Sequence, residues 1–298
     1  VVFMLTYEKW ESQPQNPWLV LLPGVTCGAW FFENGKVELT KHFNILAINN
    51  PGIHGAEMRG IRTVRDIARS VLHILQTEKI ELTNVLGHSM GGFVAQELVL
   101  LKPNVVNNLV LVSTSMGQPY TAKDLLTLAK VTGKTWNQFN RDVAKVPAIA
   151  LRALFGQSYL AEFPDSYHQF IQQRERNKPN KAARSLHIAL GGAFSSFHRT
   201  GGIQARTLVV TGDADPLITA RSSKILAEHL PHAFYWELLD VGHFVNYEYP
   251  TFWQDITRFL KGETLGVKVE HTPPFTKATQ KIRNYWENMW ESTLWPKP

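Results

Sequence analysis

The chain of 298 residues can bury one large hydrophobic core, since 44% of its residues are apolar. Its single cysteine, Cys27, excludes an internal disulfide and any metal site built from several cysteines. The formal net charge of +6 could draw an acidic partner. No zinc-ligand pattern or known nucleic-acid-binding motif accompanies that charge, so we do not expect a nucleic acid as partner.

The sequence has no segment that suits a membrane or a secretion signal. No apolar run reaches the ~18 residues that cross a bilayer, and the apolar residues 1–6 are too few and lack a basic start. The chain holds no Asn-x-Ser/Thr glycosylation site. With a lone cysteine as well, these features predict a cytoplasmic protein without a transmembrane segment.

The first 116 residues alternate short apolar runs with segments of helical apolar spacing. Short runs closed by Gly, Pro or Asn predict buried strands, and spacings of three and four residues predict helices. The predicted strands are residues 18–22, 43–48, 85–86 and 108–112, and the predicted helices are residues 63–77 and 90–101. This alternation predicts an α/β fold with a mainly parallel sheet and helices on both faces.

The alternation stops near Ser115 and resumes at residue 207. Further strands are expected at residues 207–211 and 234–239, and further helices at residues 220–230 and 252–260. The intervening residues have helical spacing and would form a cap over the carboxyl edge of the sheet, where such folds hold their ligands. We therefore predict a core of residues 1–116 and 203–262 with an inserted helical cap of residues 117–202.

Residues 263–298 form a predicted C-terminal extension. Two prolines interrupt it, and Tyr285, Trp286 and Trp290 then fall on one helical face. Such an amphipathic helix could pack on the core, lie on a membrane surface or form a dimer contact. The sequence does not decide among these roles, and it leaves the oligomeric state open.

The motif Gly-x-Ser-x-Gly at residues 87–91 follows an apolar run and precedes a predicted helix. Strand, sharp turn and helix are the context of a nucleophile elbow, in which Ser89 would present its hydroxyl clear of the sheet. Glycines at positions 87 and 91 would allow strand and helix to cross closely. The alternative is a glycine-rich turn that contains a serine by chance.

Two further chemical groups follow Ser89 along the chain. A serine hydroxyl needs a base, and the base needs a partner that orients it and stabilises its charge. The acids Asp213 and Asp215 come just past one predicted strand, and His243 comes just past the next. Serine, acid and histidine in this order match the arrangement of a Ser-His-Asp triad.

The chain resembles the α/β-hydrolase superfamily, in its capped esterase, lactonase and C–C hydrolase branch, through four motifs that occur in the expected order. They cover about residues 1–262 and are Pro23-Gly24, residues 87–92, residues 212–216 and Gly242-His243. The resemblance implies an α/β-hydrolase fold and a catalytic triad of Ser89, Asp215 and His243. It selects Asp215 because the family's acid is the third residue after the glycine of Gly-x-x-Asp.

The resemblance also implies an oxyanion hole made by two main-chain N–H groups, of Met90 and Val25. Met90 directly follows the nucleophile at a helix N-terminus. The family usually has His-Gly before the second donor, whereas this chain has Pro23-Gly24, which puts the usual anchoring of the loop in doubt.

We expect the residues beside these groups to form the substrate-binding site. They are Gly24, His88 and Phe244. His88 is expected to support the elbow rather than to transfer protons. The chemistry implied by the resemblance needs neither a cofactor nor a metal.

The function expected from these residues is hydrolysis of a carboxylic ester through an acyl-enzyme, with an apolar acyl group under the cap. A lactone or a C–C bond in a ring-cleavage product could meet the same triad. A receptor that binds a ligand on this fold without turnover is the non-enzymatic alternative.

A further alternative follows from the charge of the predicted cap. It carries twelve Lys or Arg and five Asp or Glu. An acidic acyl carrier protein bearing an acyl chain, such as a methyl ester or a thioester, could dock there on Arg174, Arg176 or Lys178.

Overall fold

A computed structural model describes residues 4–263 and 270–272. Eight strands in this part of the chain form one sheet. They are β1 (Tyr7–Trp10), β2 (Trp18–Leu22), β3 (Asn44–Ile48), β4 (Thr83–His88), β5 (Val106–Val112), β6 (Arg206–Gly212), β7 (Ala233–Leu238) and β8 (Glu270–Thr272). All six predicted strands are present, with ends shifted by a few residues.

The sheet runs in the order β1-β3-β2-β4-β5-β6-β7-β8. Neighbours from β3 to β7 are parallel, while β1 and β8 pair antiparallel at the two edges. This confirms the predicted α/β class with a mainly parallel sheet. The sequence analysis did not anticipate the two edge strands, which are only four and three residues long.

Helices occupy the connections between these strands. They are α1 (Glu33–Leu39), α2 (Val64–Thr77), α3 (Met90–Leu101), α4 (Tyr120–Thr132), α5 (Trp136–Lys145), α6 (Pro147–Ala150), α7 (Gln157–Glu162), α8 (Pro164–Arg176), α9 (Lys181–Ala193), α10 (Ala220–His229), α11 (Val245–Glu248) and α12 (Phe252–Leu260). The first of the predicted helices begins where Thr63 and Asp66 form a reciprocal capping box.

The core lies on both faces of the sheet, because successive strand residues point to opposite sides. In β2, Leu19 and Leu21 belong to one buried cluster, which includes residues of α12. Val20 and Leu22 belong to a second cluster, which includes residues of α2, α3 and α10. Because both faces of β2 are buried, its residues form a continuous apolar run. Such a run can be recognised in the sequence, so this strand was predictable.

Residues 117–202, which we call the helical insert, carry α4 to α9 between β5 and β6. Aromatic side chains of the insert pack on the loop that follows β7: the rings of Phe155 and Phe170 lie 4.8 and 4.9 Å from that of Phe244. The carbonyl of Leu154 also accepts the N–H of His243 at 2.7 Å. The insert therefore lies against the loop that carries His243.

No helix among the described residues is long and apolar enough to cross a membrane. Within the predicted C-terminal extension, Glu270–Thr272 pair with β7 as the edge strand β8. The aromatic face predicted around Tyr285, Trp286 and Trp290 lies outside the described residues.

Candidate active site

Ser89 lies on a sharp turn between β4 and α3, with φ 54° and ψ −119°. A positive φ is rare for any residue with a Cβ and marks stored backbone strain. Hydrogen bonds hold the turn: the Ser89 N–H donates to the carbonyl of Val112, and the Ser89 carbonyl accepts the hydroxyl of Thr114, both at 2.9 Å. The motif at residues 87–91 thus has the strand–turn–helix geometry of a nucleophile elbow.

The two motif glycines lie where no side chain fits. A Cβ on Gly91 would run into the main-chain carbonyls of Leu22 and Pro23, and a Cβ on Gly87 would run into the backbone of Gly91. Because these obstacles are backbone atoms, they cannot move aside without shifting β2 or α3. The close crossing of strand and helix explains both glycines.

Gly91→Ala is expected to lower the free energy of unfolding by about 3 kcal/mol, since the added methyl group overpacks the backbone crossing. Gly191→Ala is the matched control, because Gly191 lies in α9 and a Cβ added there would have no atom within 4 Å. There alanine should raise the free energy of unfolding by at most about 1 kcal/mol. Urea titration of both variants measures the difference, and equal values would contradict the packing argument.

His243 lies on the loop after β7 and is held by Asp215. Its Nδ1 lies 2.6 Å from Oδ2 of Asp215, and both side chains are buried. A carboxylate can only accept, so Nδ1 carries the proton and Nε2 keeps a free lone pair. Oδ1 of Asp215 accepts the N–H groups of Leu217 and Ile218, at 2.8 and 3.1 Å, which fixes the carboxylate in place.

Of the two acids considered from the sequence, the structure brings Asp215 to His243. Asp213 is exposed, and its Oδ1 accepts the main-chain N–H of Asp240 at 2.7 Å. Ser89 and His243 line the same cavity. No hydrogen bond joins their side chains within residues 4–263, but such bonds are often long before a substrate is bound.

The N–H groups of Val25 and Met90 are the two candidate oxyanion donors. Val25 lines the cavity with Ser89, and Met90 is the first residue of α3. Neither N–H donates a hydrogen bond to another residue of the described chain. Both N–H groups therefore lack a protein acceptor in the described chain, as an oxyanion donor must.

The loop before Val25 is anchored by Asn50 rather than by a histidine. The Asn50 side-chain amide donates to the carbonyls of Pro23, Gly24 and Cys27, at 3.2, 2.8 and 3.1 Å. It is buried, so each of these bonds forms away from water. The Pro23-Gly24 pair had left it open how this loop is anchored. Asn50, which the sequence analysis did not identify, anchors it.

His187 of the helical insert supports the same loop. Its Nδ1 accepts the N–H of Thr26 at 3.1 Å, so its Nε2 must be the protonated nitrogen, which donates to the carbonyl of Pro51 at 2.8 Å. Burial lowers the pKa of His187 to about 4, which keeps it neutral at physiological pH. The insert thus directly contacts the loop that carries Val25, a candidate oxyanion donor.

His88 and Cys27 also line the cavity, and both are uncharged at neutral pH. The His88 Nε2 donates to the carbonyl of His243 at 2.9 Å, and burial lowers the pKa of His88 to about 3. Burial raises the pKa of the Cys27 thiol to about 12. His88 is suited to hold the His243 backbone, and Cys27 is not an activated thiolate.

The cavity encloses about 700 Å³ of unfilled space, including solvent at its mouth. Gly24, Val25, His88, Ser89, His243 and Phe244 line its core side. The insert contributes an apolar wall of Trp136, Phe139, Val143, Leu151, Leu154 and Phe170. Thus the expected neighbours Gly24, His88 and Phe244 all face this space, while Asp215 lies behind His243.

Residues 17–250 match the sequence profile of the family described as alpha/beta hydrolase fold. The chain belongs to the α/β-hydrolase family. A protein of Pseudomonas savastanoi named "Putative carbamate hydrolase RutD" is 25% identical over 261 residues, which are 83% of this chain and 95% of that protein. The 3-oxoadipate enol-lactonase 1 of Acinetobacter baylyi is 22% identical over 251 residues, 80% of this chain and 85% of that protein.

Solved α/β-hydrolase structures share the fold. The crystal structure of the enol-lactonase from Burkholderia xenovorans superposes with a TM-score of 0.71 at 21% identity, covering 86% of this chain and 96% of the other. A hydrolase from Pseudomonas aeruginosa has the same TM-score at 23% identity, with 86% and 94% covered. Family and relatives together support hydrolase activity for this chain.

Glu248, which no motif indicated, supports the loop that carries His243. Its carboxyl accepts the N–H groups of Gly156, Gly242 and Phe244, at 2.7, 2.9 and 3.1 Å. Burial raises the pKa of Glu248 to about 7, although these three donors favour the charged form. Through these hydrogen bonds, Glu248 connects the loop that carries His243 to Gly156 of the helical insert.

Among residues 4–263 and 270–272, no group of three or more His, Cys, Asp or Glu is arranged to hold a metal ion.

Proposed function

We propose that this α/β-hydrolase is a serine hydrolase that cleaves carboxylic esters, open or cyclic, through Ser89, His243 and Asp215. The observation that carries the proposal is the 2.6 Å bond between His243 Nδ1 and Asp215 Oδ2, in a cavity that Ser89 also lines. That bond leaves His243 Nε2 as a base beside a strained serine.

In the first half-reaction, Ser89 Oγ attacks the ester carbonyl carbon while His243 Nε2 takes the hydroxyl proton. The carbonyl π electrons move to oxygen, and the N–H groups of Val25 and Met90 stabilise that oxyanion. Donors of this kind contribute roughly 3–4 kcal/mol each in comparable sites. Collapse of the intermediate breaks the C–O bond, and His243 returns its proton to the leaving alcohol.

The second half-reaction uses the same groups. His243 Nε2 takes a proton from water, whose oxygen attacks the acyl carbon, and the Ser89–acyl bond breaks as His243 reprotonates Ser89 Oγ. Asp215 remains ionised and stabilises the imidazolium in each step. A lactone follows the same path and differs only in that the leaving alcohol stays attached to the product.

Three observations favour a small ester over one carried on an acyl carrier protein. Arg174, one of the three basic residues considered for docking, is 7% exposed and lines the cavity. Lys178 pairs with Glu175, with Nζ and Oε2 3.3 Å apart. The relatives named as an enol-lactonase and a carbamate hydrolase act, by those names, on small molecules.

The proposal is tested with a fluorophosphonate probe and a panel of p-nitrophenyl esters of rising chain length, run beside γ- and δ-lactones. We expect the probe to modify Ser89, as read by peptide mass spectrometry, and esters to turn over. We also expect turnover to change little between 50 and 500 mM salt, because a neutral ester needs no charge steering. A protein that binds these esters without labelling or turnover would be a receptor, contrary to the proposal.

A further inference from the structure

Two arginines of the helical insert line the same cavity as Ser89. Arg174 lies at the C-terminal end of α8 and Arg184 lies in the first half of α9. They interrupt the otherwise apolar wall. Arg174 is 7% exposed, and a guanidinium group is costly to hold away from water, so its place in an apolar wall calls for an explanation.

Few carboxylates lie near the positive charge of these two arginines. No Asp or Glu is among the residues of the described chain that line the cavity. Arg174 Nη1 pairs with Glu175 at 2.7 Å, but that carboxylate is partly exposed and is shared with Lys178. Arg184 makes no ion pair in residues 4–263, and its Nη2 donates to the carbonyl of Asn140 at 2.8 Å.

The two guanidinium groups line the same cavity, and each lies within the electrostatic field of the other. Burial, together with the positive charge of Arg174, lowers the pKa of Arg184. Two like charges repel each other, and an anion bound by both removes that repulsion. Each arginine keeps several N–H donors beyond its single described hydrogen bond, in the fork geometry that matches a carboxylate.

We propose that Arg174 and Arg184 bind a carboxylate of the substrate, so that the preferred esters or lactones are anions rather than purely apolar molecules. This inference rests on the proposed function and refines its substrate class. The apolar wall formed by Trp136, Phe139 and Phe170 would contact the methylene chain between the scissile carbonyl and the carboxylate. A purely structural role, in which each arginine only ties helices together, is the competing explanation.

Matched aryl esters separate these explanations. p-Nitrophenyl hydrogen glutarate and p-nitrophenyl pentanoate have the same carbon chain, and at pH 7 only the first carries a charge. We expect the wild-type kcat/KM to favour the glutarate ester at least 10-fold. Arg174→Gln and Arg184→Gln should each lower the ratio of the two kcat/KM values about 10–100-fold, mainly through KM, the range for one charge-assisted hydrogen bond.

Arg176→Gln is the matched control, because Arg176 lies on the same helix, is exposed, and does not line the cavity. It removes the same charge from the chain and should leave the ratio unchanged. Arg174→Lys keeps the charge without the fork, so it should restore part of the preference lost in Arg174→Gln.

Binding is measured separately from turnover by calorimetry with monomethyl glutarate and the Ser89→Ala protein. The affinity should fall about 10–100-fold when Arg174→Gln is added. If no ester is hydrolysed but this binding persists, the proposed function fails and the anion site stands. A wild-type preference for pentanoate, or equal ratios in Arg174→Gln and Arg176→Gln, overturns the anion site and leaves ester hydrolysis in place.

Discussion

Ser89→Ala is expected to lower kcat for ester hydrolysis by about 10⁶-fold and to abolish fluorophosphonate labelling, while the protein still folds. Loss of the nucleophile leaves only the oxyanion donors and substrate binding, which retain a small residual rate. The Ser89 hydroxyl makes no hydrogen bond within the described residues, so its removal costs the fold little. The measurement is the single-turnover release of p-nitrophenol beside a thermal unfolding curve.

Ser185→Ala is the control for this result. Ser185 is exposed on α9 of the helical insert and does not line the cavity, so the variant should keep wild-type kcat. Ser89→Cys adds a second check, since a thiolate can still form an acyl-enzyme and should restore some labelling by thiol-reactive probes. An unchanged kcat in Ser89→Ala would show that another group is the nucleophile.

The fold was predictable where burial makes a pattern in the sequence. β2 and residues 109–112 of β5 are buried on both faces and are continuous apolar runs, and α12 has apolar residues at helical spacing over its full length. The edge strand β1 mixes buried, partly buried and exposed residues over four positions. So short a segment gives no periodicity to distinguish a strand from a loop.

The candidate triad was predictable because each of its residues stands in a short motif of its own that can be recognised along the chain. The elbow glycines and the order of Ser89, Asp215 and His243 are all visible along the chain. The supporting groups are not, because their partners are remote: Asn50 bonds three carbonyls more than 20 residues away, and Glu248 bonds Gly156 from 92 residues away. No motif captures such long-range contacts.

The sequence analysis interprets Arg174 as part of a basic surface, and the structure corrects this. Arg174 lies four residues after Phe170 and seven after Tyr167, so it shares their buried face of α8. The same helical spacing that predicts the apolar face could have located it there. Net charge was the weaker guide because it says nothing about which face of a helix a residue occupies.

The assignment of Asp215, rather than Asp213, as the acid of the triad predicts a second large loss of activity. Asp215→Asn is expected to lower kcat about 10⁴-fold with little change in KM. Both carboxylate oxygens act as acceptors, one for the N–H groups of Leu217 and Ile218 and the other for His243 Nδ1–H. Asparagine has only one acceptor oxygen, so it cannot serve both sides.

Because the amide oxygen would stay with the two main-chain donors, the NH₂ group would face His243 Nδ1. That arrangement forces the imidazole proton onto Nε2 and removes the base that Ser89 needs. Asp213→Asn is the matched control, since the exposed Asp213 needs only one oxygen for its bond to the Asp240 N–H and should keep kcat within about 3-fold. If both variants lose activity alike, the acid of the triad is misassigned; if only Asp215→Asn does, the tautomer of His243 is what that carboxylate controls.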